Sequence, residues 1–581
     1  MFGLVKEIKP FVPALLLVVA LLFGQAMCDL ALPDRMADIV DTGILRGDTA
    51  RILHAGAAML AIALCGAVCS VFVGYIGARV AAGLGRRLRG AVFHRAMGFS
   101  NAEFDRLTVS SLITRTTNDV TQIQNMAVFM VRLLFYAPIM AVGGMLRAAE
   151  TDRGMSWVIA VAVAAILCLI VVAFAAVLPK FKRMQSLVDR MNRVVRENLD
   201  GMQVVRAFNT QRFEEARFDG VNGDLTAVNL FVGRVMSAVM PVMLLIMNLV
   251  TVLVVWVGAR RIAQFDMDVG GMMAYMQYIM LILMSFLMMS MMFVMLPRAS
   301  VSAGRIAEAL KTEASVADGP AAASAPPARE DGAREDGLAF HGVRFAYPGA
   351  GDEALHDVSF AARPGETVAV IGSTGSGKST LANLIPRFYD VTAGRILLNG
   401  TDIRHLPLKE LRRRIGYVPQ QSVLFSGTIG ENIAYADPGL PEEALWRAAE
   451  LAQVRDFIEG REGGMASELA QGGVNVSGGQ RQRLAIARAL ARDAEIYIFD
   501  DSFSALDFKT DAALRAALRR ELRQSVVLIV TQRVSAAMRA DRILVLDRGR
   551  VVGAGRHAEL MDSCGVYREI AQSQLDAEDL A

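Results

Sequence analysis

Gly372-Ser373-Thr374-Gly375-Ser376-Gly377-Lys378-Ser379-Thr380 is a glycine-rich run closing on a lysine and two hydroxyls. Between a strand and a helix, such a run cradles phosphates with backbone N–H groups and the helix N-terminus. The flanks suit that context: Thr367–Ile371 reads as a buried strand, and a helix starts over Thr380–Leu384. Lys378 is then placed to reach the β- and γ-phosphates, and the Ser379 hydroxyl to ligate Mg²⁺. A second apolar strand, Glu495–Phe499, ends in two acids, Asp500 and Asp501. About a hundred positions after the glycine loop stands Val476-Ser477-Gly478-Gly479-Gln480. The loop alone implies only a bound nucleoside triphosphate; the later run must say what uses it.

These residues sit in the second half of a chain that is 54% apolar over 581 residues, too high for an ordinary soluble protein. The excess lies in the first half. Six stretches there are long enough to cross about 30 Å of hydrocarbon. They run near Phe11–Leu32, Ile52–Ile76, Met126–Leu146, Trp157–Leu178, Val235–Val257 and Met272–Leu296. Lys6 and Lys9 before the first mimic a signal peptide, but no small-x-small site follows, so a retained first transmembrane helix is expected. The net charge of +3 gives no basic field on the scale that nucleic acid requires. Cys28, Cys65, Cys69, Cys168 and Cys564 have no disulfide or zinc spacing and read as small buried thiols.

The second-to-third and fourth-to-fifth connections are long and basic. One holds Arg79, Arg86, Arg87, Arg89, Arg95, Arg106 and Arg115; the other runs from Lys180 to Arg234 with ten basic residues. The positive-inside rule puts both in the cytoplasm, with both termini and the soluble half, in a cell (inner) membrane. The first-to-second connection, with Asp34, Asp38, Asp41 and Asp48, goes outside. Apolar residues at helical spacing around Leu187, Met191, Val194 and Val195 extend the helices beyond the bilayer. Met272, Met276, Met280, Met284 and Met288 form a stripe that either lines a path for apolar ligands or replaces leucine against lipid and neighbouring helices. Arg132, within the third stretch, is a functional candidate or an interfacial residue that snorkels. Residues 313–337 have the Ala, Pro, Gly and charge of a linker.

The P-loop, the Asp500 strand end and the Ser477-Gly478-Gly479-Gln480 run occur in one order across residues 338–575. In that order they resemble the ATP-binding cassette (ABC) transporters, and with the six stretches the whole chain is similar to one half of a multidrug-type ABC exporter. The resemblance implies an α-helical six-helix transmembrane domain at 1–312, a linker at 313–337, and an α/β P-loop cassette at 338–581. It also implies ATP and Mg²⁺ as cofactors and a second half-transporter as partner, in membrane lipid, with a small hydrophobic or amphipathic substrate. By the resemblance Tyr347 stacks on adenine (or is a packed strand tyrosine), Asp500 holds Mg²⁺ through water, and Gln420 senses Mg²⁺–ATP. Ser477, Gly478, Gly479 and Gln480 are the signature that closes over ATP held by a second cassette, and Asp507 belongs to the D-loop. Ser111–Asp119 and Val204–Phe208 look like coupling-helix segments, the alternative being solvated helical turns.

Two residues depart from the pattern. Asp501 stands where glutamate acts as general base, and its carboxylate falls short by one methylene. Gln532 stands where a histidine is usual; it hydrogen-bonds a γ-phosphate but carries no charge or proton. The signature is intact apart from Val476 for leucine. The combination is similar to the degenerate-site subunit of heterodimeric ABC exporters. An ATP-gated regulatory or channel-like protein, and a slow homodimeric transporter of lipids, peptides or siderophores, remain open as alternatives.

Overall fold

The computed structural model describes residues 6–318 and 337–575. The chain forms two compact units, Met1–Met97 with Ser110–Lys311, and Gly98–Val109 with Thr312–Ala581. Six helices of the first are long and apolar enough to cross a membrane: Lys6–Ile44, Thr49–Met97, Val109–Thr151, Arg153–Asp200, Gln211–Ala263 and Val269–Met292. Five of the six expected stretches fall inside them, and the sixth, Met272–Leu296, lies within the longer helix Val269–Lys311 of which Val269–Met292 is part. The first is the largest departure. It continues to Ile44 through a π-helical turn at Ile39–Ile44, so the expected acidic loop is mostly helix. Its acids hold neighbouring spans instead. Asp34 accepts a hydrogen bond from the Tyr278 hydroxyl at 2.5 Å, and Asp41 accepts the Gly270 N–H at 2.7 Å. Pro33, Pro179 and Pro241 sit inside spans, a position tolerated in membrane helices where the freed backbone groups can find other partners.

The core of this unit is aromatic and thioether-rich. Tyr275 and Tyr278 are fully buried; Tyr275 donates to the Met155 carbonyl at 2.7 Å and Tyr278 to the Leu30 carbonyl at 3.0 Å. Met272 and Met276 pack against that core, while Met280 and Met284 are exposed. Arg132 donates to the Ser70 hydroxyl at 3.4 Å, part-buried. The cysteines do not all behave as expected. Cys564 is buried, but Cys65 and Cys168 face outward from spans, where an apolar side chain needs no burial against protein.

The second unit is built on two large sheets and a short antiparallel pair, β7 (Gly427–Thr428) with β8 (Glu468–Leu469). One, in order β2–β1–β4–β5, comprises β1 (Leu338–Phe345), β2 (Leu355–Ala362), β4 (Ala393–Leu398) and β5 (Thr401–Asp402), antiparallel throughout. The other, in order β12–β11–β3–β10–β9–β6, carries the chemistry. Its β3 (Thr367–Ile371), β6 (Ile415–Val418), β9 (Ile496–Asp500), β10 (Val526–Thr531) and β11 (Arg542–Asp547) are parallel, and β12 (Arg550–Gly555) closes the edge antiparallel. Strands β9 and β10 are buried at every position, which is why they read as unbroken apolar runs. Parallel register brings Ile371 beside Thr531, and Val530 beside Asp500, so the glycine loop and both acids leave the same edge of the sheet.

Helix α1 (Asn101–Leu107) belongs to this unit. Glu103 accepts hydrogen bonds from the Ser100 amide (2.8 Å), the Ser100 hydroxyl (2.6 Å) and the Ser315 amide (3.1 Å). Burial raises the Glu103 carboxyl, but these bonds outweigh it and hold the group below its ordinary value. Ser315 and Asp318, whose carboxylate accepts the Leu408 N–H at 2.7 Å, tie the start of the expected linker to this unit; residues 319–336 of it lie outside the described residues. The segment Ser111–Asp119 is different from its expectation. It lies in the long helix Val109–Thr151 and bonds to the sixth: Ser302 donates to Asp119 at 2.8 Å, and Arg115 pairs with Glu308 at 2.8 Å. The short helix α1, ten residues earlier, belongs to the second unit.

Candidate functional site

The edge of the larger sheet opens into a cavity of about 340 Å³. Tyr347, Thr374, Gly375, Gly377, Lys378, Ser379, Thr380, Gln420, Asp500, Asp501 and Gln532 line it. Residues spread over 186 positions of sequence therefore meet in one cleft. The loop after β3 turns into helix α2 (Lys378–Leu384). Gly377 caps it at φ +100°, and a Cβ there would stand 2.8 Å from the Ala354 carbonyl oxygen. A Cβ on Gly372 would meet the Leu546 carbonyl oxygen at 2.2 Å, so neither position admits a side chain.

Lys378 is folded into its own loop, donating to the Gly372 and Ser373 carbonyls at 2.8 and 2.7 Å and to the Ser376 hydroxyl at 3.3 Å. Burial lowers its ammonium pKa, against the pull of Asp501 and Asp500. Ser379 donates to Asp500 at 3.0 Å. Burial raises the Asp500 carboxyl; the Ser379 bond opposes this and the neighbouring Asp501 charge adds to it. Asp501 is raised too, by burial, with a hydrogen bond from Gln420 working the other way. Each charged form is thus disfavoured when the cleft holds only protein. A triphosphate beside Lys378 and a divalent cation beside the acids would supply the missing counter-charges. The oxygen donors of Ser379, Asp500 and Gln420 are hard ligands of the kind that suit Mg²⁺.

The Tyr347 hydroxyl shares a hydrogen bond with Thr380 at 2.9 Å, and its ring meets Phe345 and Tyr389 edge-on with centroids 4.9 and 5.3 Å apart. Thr374 donates to the Gln532 side-chain oxygen at 3.4 Å, so Gln532 faces the phosphate loop across the cleft. Asp501 has φ +46°, left-handed backbone that Asp tolerates better than Glu.

Ser477, Gly478, Gly479, Gln480 and Asp507 do not line this cavity. Ser477 caps α3 (Gly478–Leu490): its amide donates to Gln480 Oε1 at 2.9 Å, and Gln480 returns its own amide to Ser477 Oγ at 3.3 Å. Gly479 packs under the Ala505 carbonyl, where a Cβ would come within 3.1 Å. Asp507 caps α4 (Phe508–Glu521) by accepting from the Thr510 amide (2.9 Å) and hydroxyl (2.8 Å), which lower its pKa. The signature thus presents a capped helix end away from the nucleotide cleft of its own cassette.

Three functional neighbours escaped the sequence reading. Buried Gln482 donates to the Asp501 carbonyl at 3.4 Å and accepts from the Ala505 amide at 3.2 Å, linking signature helix and acid loop. Its place two residues beyond the signature was the available signal. Gln574 donates to the Gln532 carbonyl at 2.8 Å and accepts from the Val534 amide at 2.9 Å. Tyr389 donates to Asp105 of α1 at 2.7 Å. Neither of the last two has a local sequence mark.

Known proteins match this geometry along nearly the whole chain. The model of the ABC transporter transmembrane region matches residues 15–286, and that of the ABC transporter cassette residues 355–504. An uncharacterized ABC transporter ATP-binding protein of Mycobacterium tuberculosis is 41% identical over 572 residues, covering 98% of this chain and 97% of its own length. An uncharacterized counterpart in Bacillus subtilis is 34% identical, covering 98% of each chain. The ATP-dependent lipid A-core flippase of Pseudomonas aeruginosa is 33% identical over 86% of this chain and 82% of its own. The solved structure of a bacterial Atm1-family ABC exporter with ATP bound superposes with TM-score 0.77 at 26% identity, over 98% of this chain and 99% of that one. With six spans joined to one P-loop cassette, this chain belongs to the ABC transporters, as an exporter-type half-transporter that works as a dimer and couples ATP use to transport.

Proposed function

We propose that this chain is the slow-site half of an asymmetric exporter: it holds MgATP in its own cleft and completes the hydrolytic site of a different half-transporter with its signature. The observation carrying this reading is that Asp501 and Gln532 line one cleft, at the two positions where glutamate and histidine would activate and orient the attacking water. In that role Ser379, Asp500 and Gln420 hold Mg²⁺, Lys378 and the loop amides hold the phosphates, and Tyr347 meets the adenine. A bound Mg²⁺ supplies charge neutralisation at the phosphates. Asp501 falls about 1 Å short of a water that glutamate would reach, a misplacement that can cost on the order of 10²-fold. Ser477 and the amides at the start of α3 are placed to clamp a γ-phosphate held by the partner. The substrate is hydrophobic or amphipathic; the exposed thioethers of Met280 and Met284 and the resemblance to lipid A-core flippases support that class. The soluble unit and both termini lie in the cytoplasm, as the basic second and fourth connections imply.

In the assembled transporter, Asp501→Asn is expected to lower ATPase by less than about 2-fold, and removal of the partner's catalytic carboxylate by on the order of 10²-fold or more. Steady-state phosphate release measures both; equal losses would defeat the asymmetric reading. ATP-driven uptake into inverted vesicles separates an exporter from an ATP-gated channel, which gives no concentrative movement.

A further inference from the structure

Asp29 is a carboxylate inside the first span, and it faces a cavity of about 670 Å³ within the membrane unit. That volume suits a drug-sized ligand. The wall opposite is made of thioethers: Met276, Met280 and Met284, successive residues of one stripe, line it with Gln277. Asp29 receives one hydrogen bond among the described residues, from the Tyr136 hydroxyl at 2.7 Å. Among the described residues no Lys, Arg or His lies within ion-pair distance of it. Arg132 donates to Ser70 and makes no ion pair with Asp29, although its charge reaches the Tyr136 hydroxyl through space. One helical turn before Asp29, on the same side of the helix, the buried Gln25 side-chain oxygen has no donor. Tyr136 ends a π-helical turn at Arg132–Tyr136, a local irregularity that occurs often at functional sites.

A carboxylate among apolar spans is costly unless it is matched by a cation. Here the protein provides one neutral donor and leaves two acceptors, Asp29 and Gln25, on one side of the helix. The cavity offers a soft apolar wall on its other face. We propose that Asp29 is the anionic anchor of a binding site for amphipathic organic cations bearing N–H donors, whose apolar bodies pack on the thioethers of Met276, Met280 and Met284. Tyr136 is a positioning residue: its hydroxyl orients the carboxylate without neutralising it. The assignment rests on the exporter reading for its physiological meaning, but the site itself does not depend on nucleotide.

The test uses the full-length transporter in nanodiscs without nucleotide, and scintillation-proximity binding of three tritiated probes of one chain length: dodecylamine, dodecanol and dodecanoate, with empty discs subtracted. The wild type should bind the amine about tenfold more tightly than the alcohol, and the carboxylate more weakly still. Asp29→Asn should erase the preference for the amine while changing alcohol binding by less than about 2-fold. Asp29→Glu, which keeps the charge, should retain the preference and guards against a variant that misfolds, whereas Tyr136→Phe, which releases the carboxylate from its one orienting bond, should narrow the preference without changing alcohol binding. Equal binding of amine and alcohol by the wild type, or a preference that survives Asp29→Asn, would overturn the proposal. Because the assay contains no nucleotide, a failure of ATP-driven transport would count against the exporter reading and leave this result unchanged.

Discussion

At the residue scale, the acid pair at the end of β9 decides how the nucleotide cleft behaves. Burial raises both carboxyls above their ordinary range, so the ionised forms are the costly ones in the nucleotide-free fold. The sign for stability follows. Below the ordinary carboxylate pKa of about 3.9 both states are protonated and nothing is lost; as pH rises through the raised folded value, the unfolded chain ionises more freely and folding weakens. Asp501→Asn removes one such charge, and Asn is at ease with the φ of +46° at this position. Nucleotide-free Asp501→Asn should therefore melt roughly 2 °C higher than the wild type at pH 7–8, with the gain fading as pH falls toward 4. Thermal unfolding scans across that range check it; a gain that grows on acidification would mean the carboxylate is stabilising.

At the element scale, helix α1 and the nucleotide cleft are joined by a short path inside one compact unit. Asp105 accepts from Tyr389, the Tyr389 ring abuts Tyr347, and the Tyr347 hydroxyl meets Thr380 at the start of α2. Burial first, then the Asp105 carboxylate, push the Tyr389 hydroxyl pKa well up, so it stays a donor at any working pH. Tyr389→Phe removes that bond and keeps the ring. It should destabilise the seating of α1 by about 1 kcal/mol while leaving ATP affinity within about 2-fold. Substrate-stimulated ATPase should fall more than basal ATPase; nucleotide binding and the ratio of stimulated to basal turnover measure the two effects. Ser100 and Glu103 cap α1 as a Ser-x-x-Glu pair, a local mark that the sequence reading did not use. The segment Ser111–Asp119, expected as a coupling segment, has the more obvious polar run; it continues a long helix, and Asp119 and Arg115 bond across to Ser302 and Glu308.

At the scale of the whole molecule, two surfaces of the chain are unfinished. The signature end of α3 is exposed and away from its own cleft, and the turn Met202–Ala207 buries none of its residues. Around that turn Val204, Phe208 and Phe213 are 60%, 75% and 68% exposed. Apolar side chains displayed together in this way mark a protein contact. Phe208→Asp is expected to leave the single chain folded and able to bind ATP, and to reduce co-purification of the second half-transporter and ATPase at least about tenfold. Affinity pull-down of the co-expressed halves checks the first effect and phosphate release the second; full assembly and turnover in the variant would remove this turn from the interface.

The sequence by itself determined the membrane class, the six spans and the cassette, and it named eleven of the residues that the fold brings to one cavity. It could do so because phosphate binding depends on backbone shape over nine consecutive residues, and because buried parallel strands and membrane spans leave unbroken apolar runs. The family pattern that the chain resembles marked Asp501 and Gln532 as departures. Only the tertiary structure decided that Asp29 and Tyr136, 107 positions apart, share a hydrogen bond beside a methionine wall. It alone brought Gln574 onto the backbone of Gln532 and α1 onto Tyr389. Those pairings have no local signature, since each needs two distant segments to be packed before either side chain has a partner to meet.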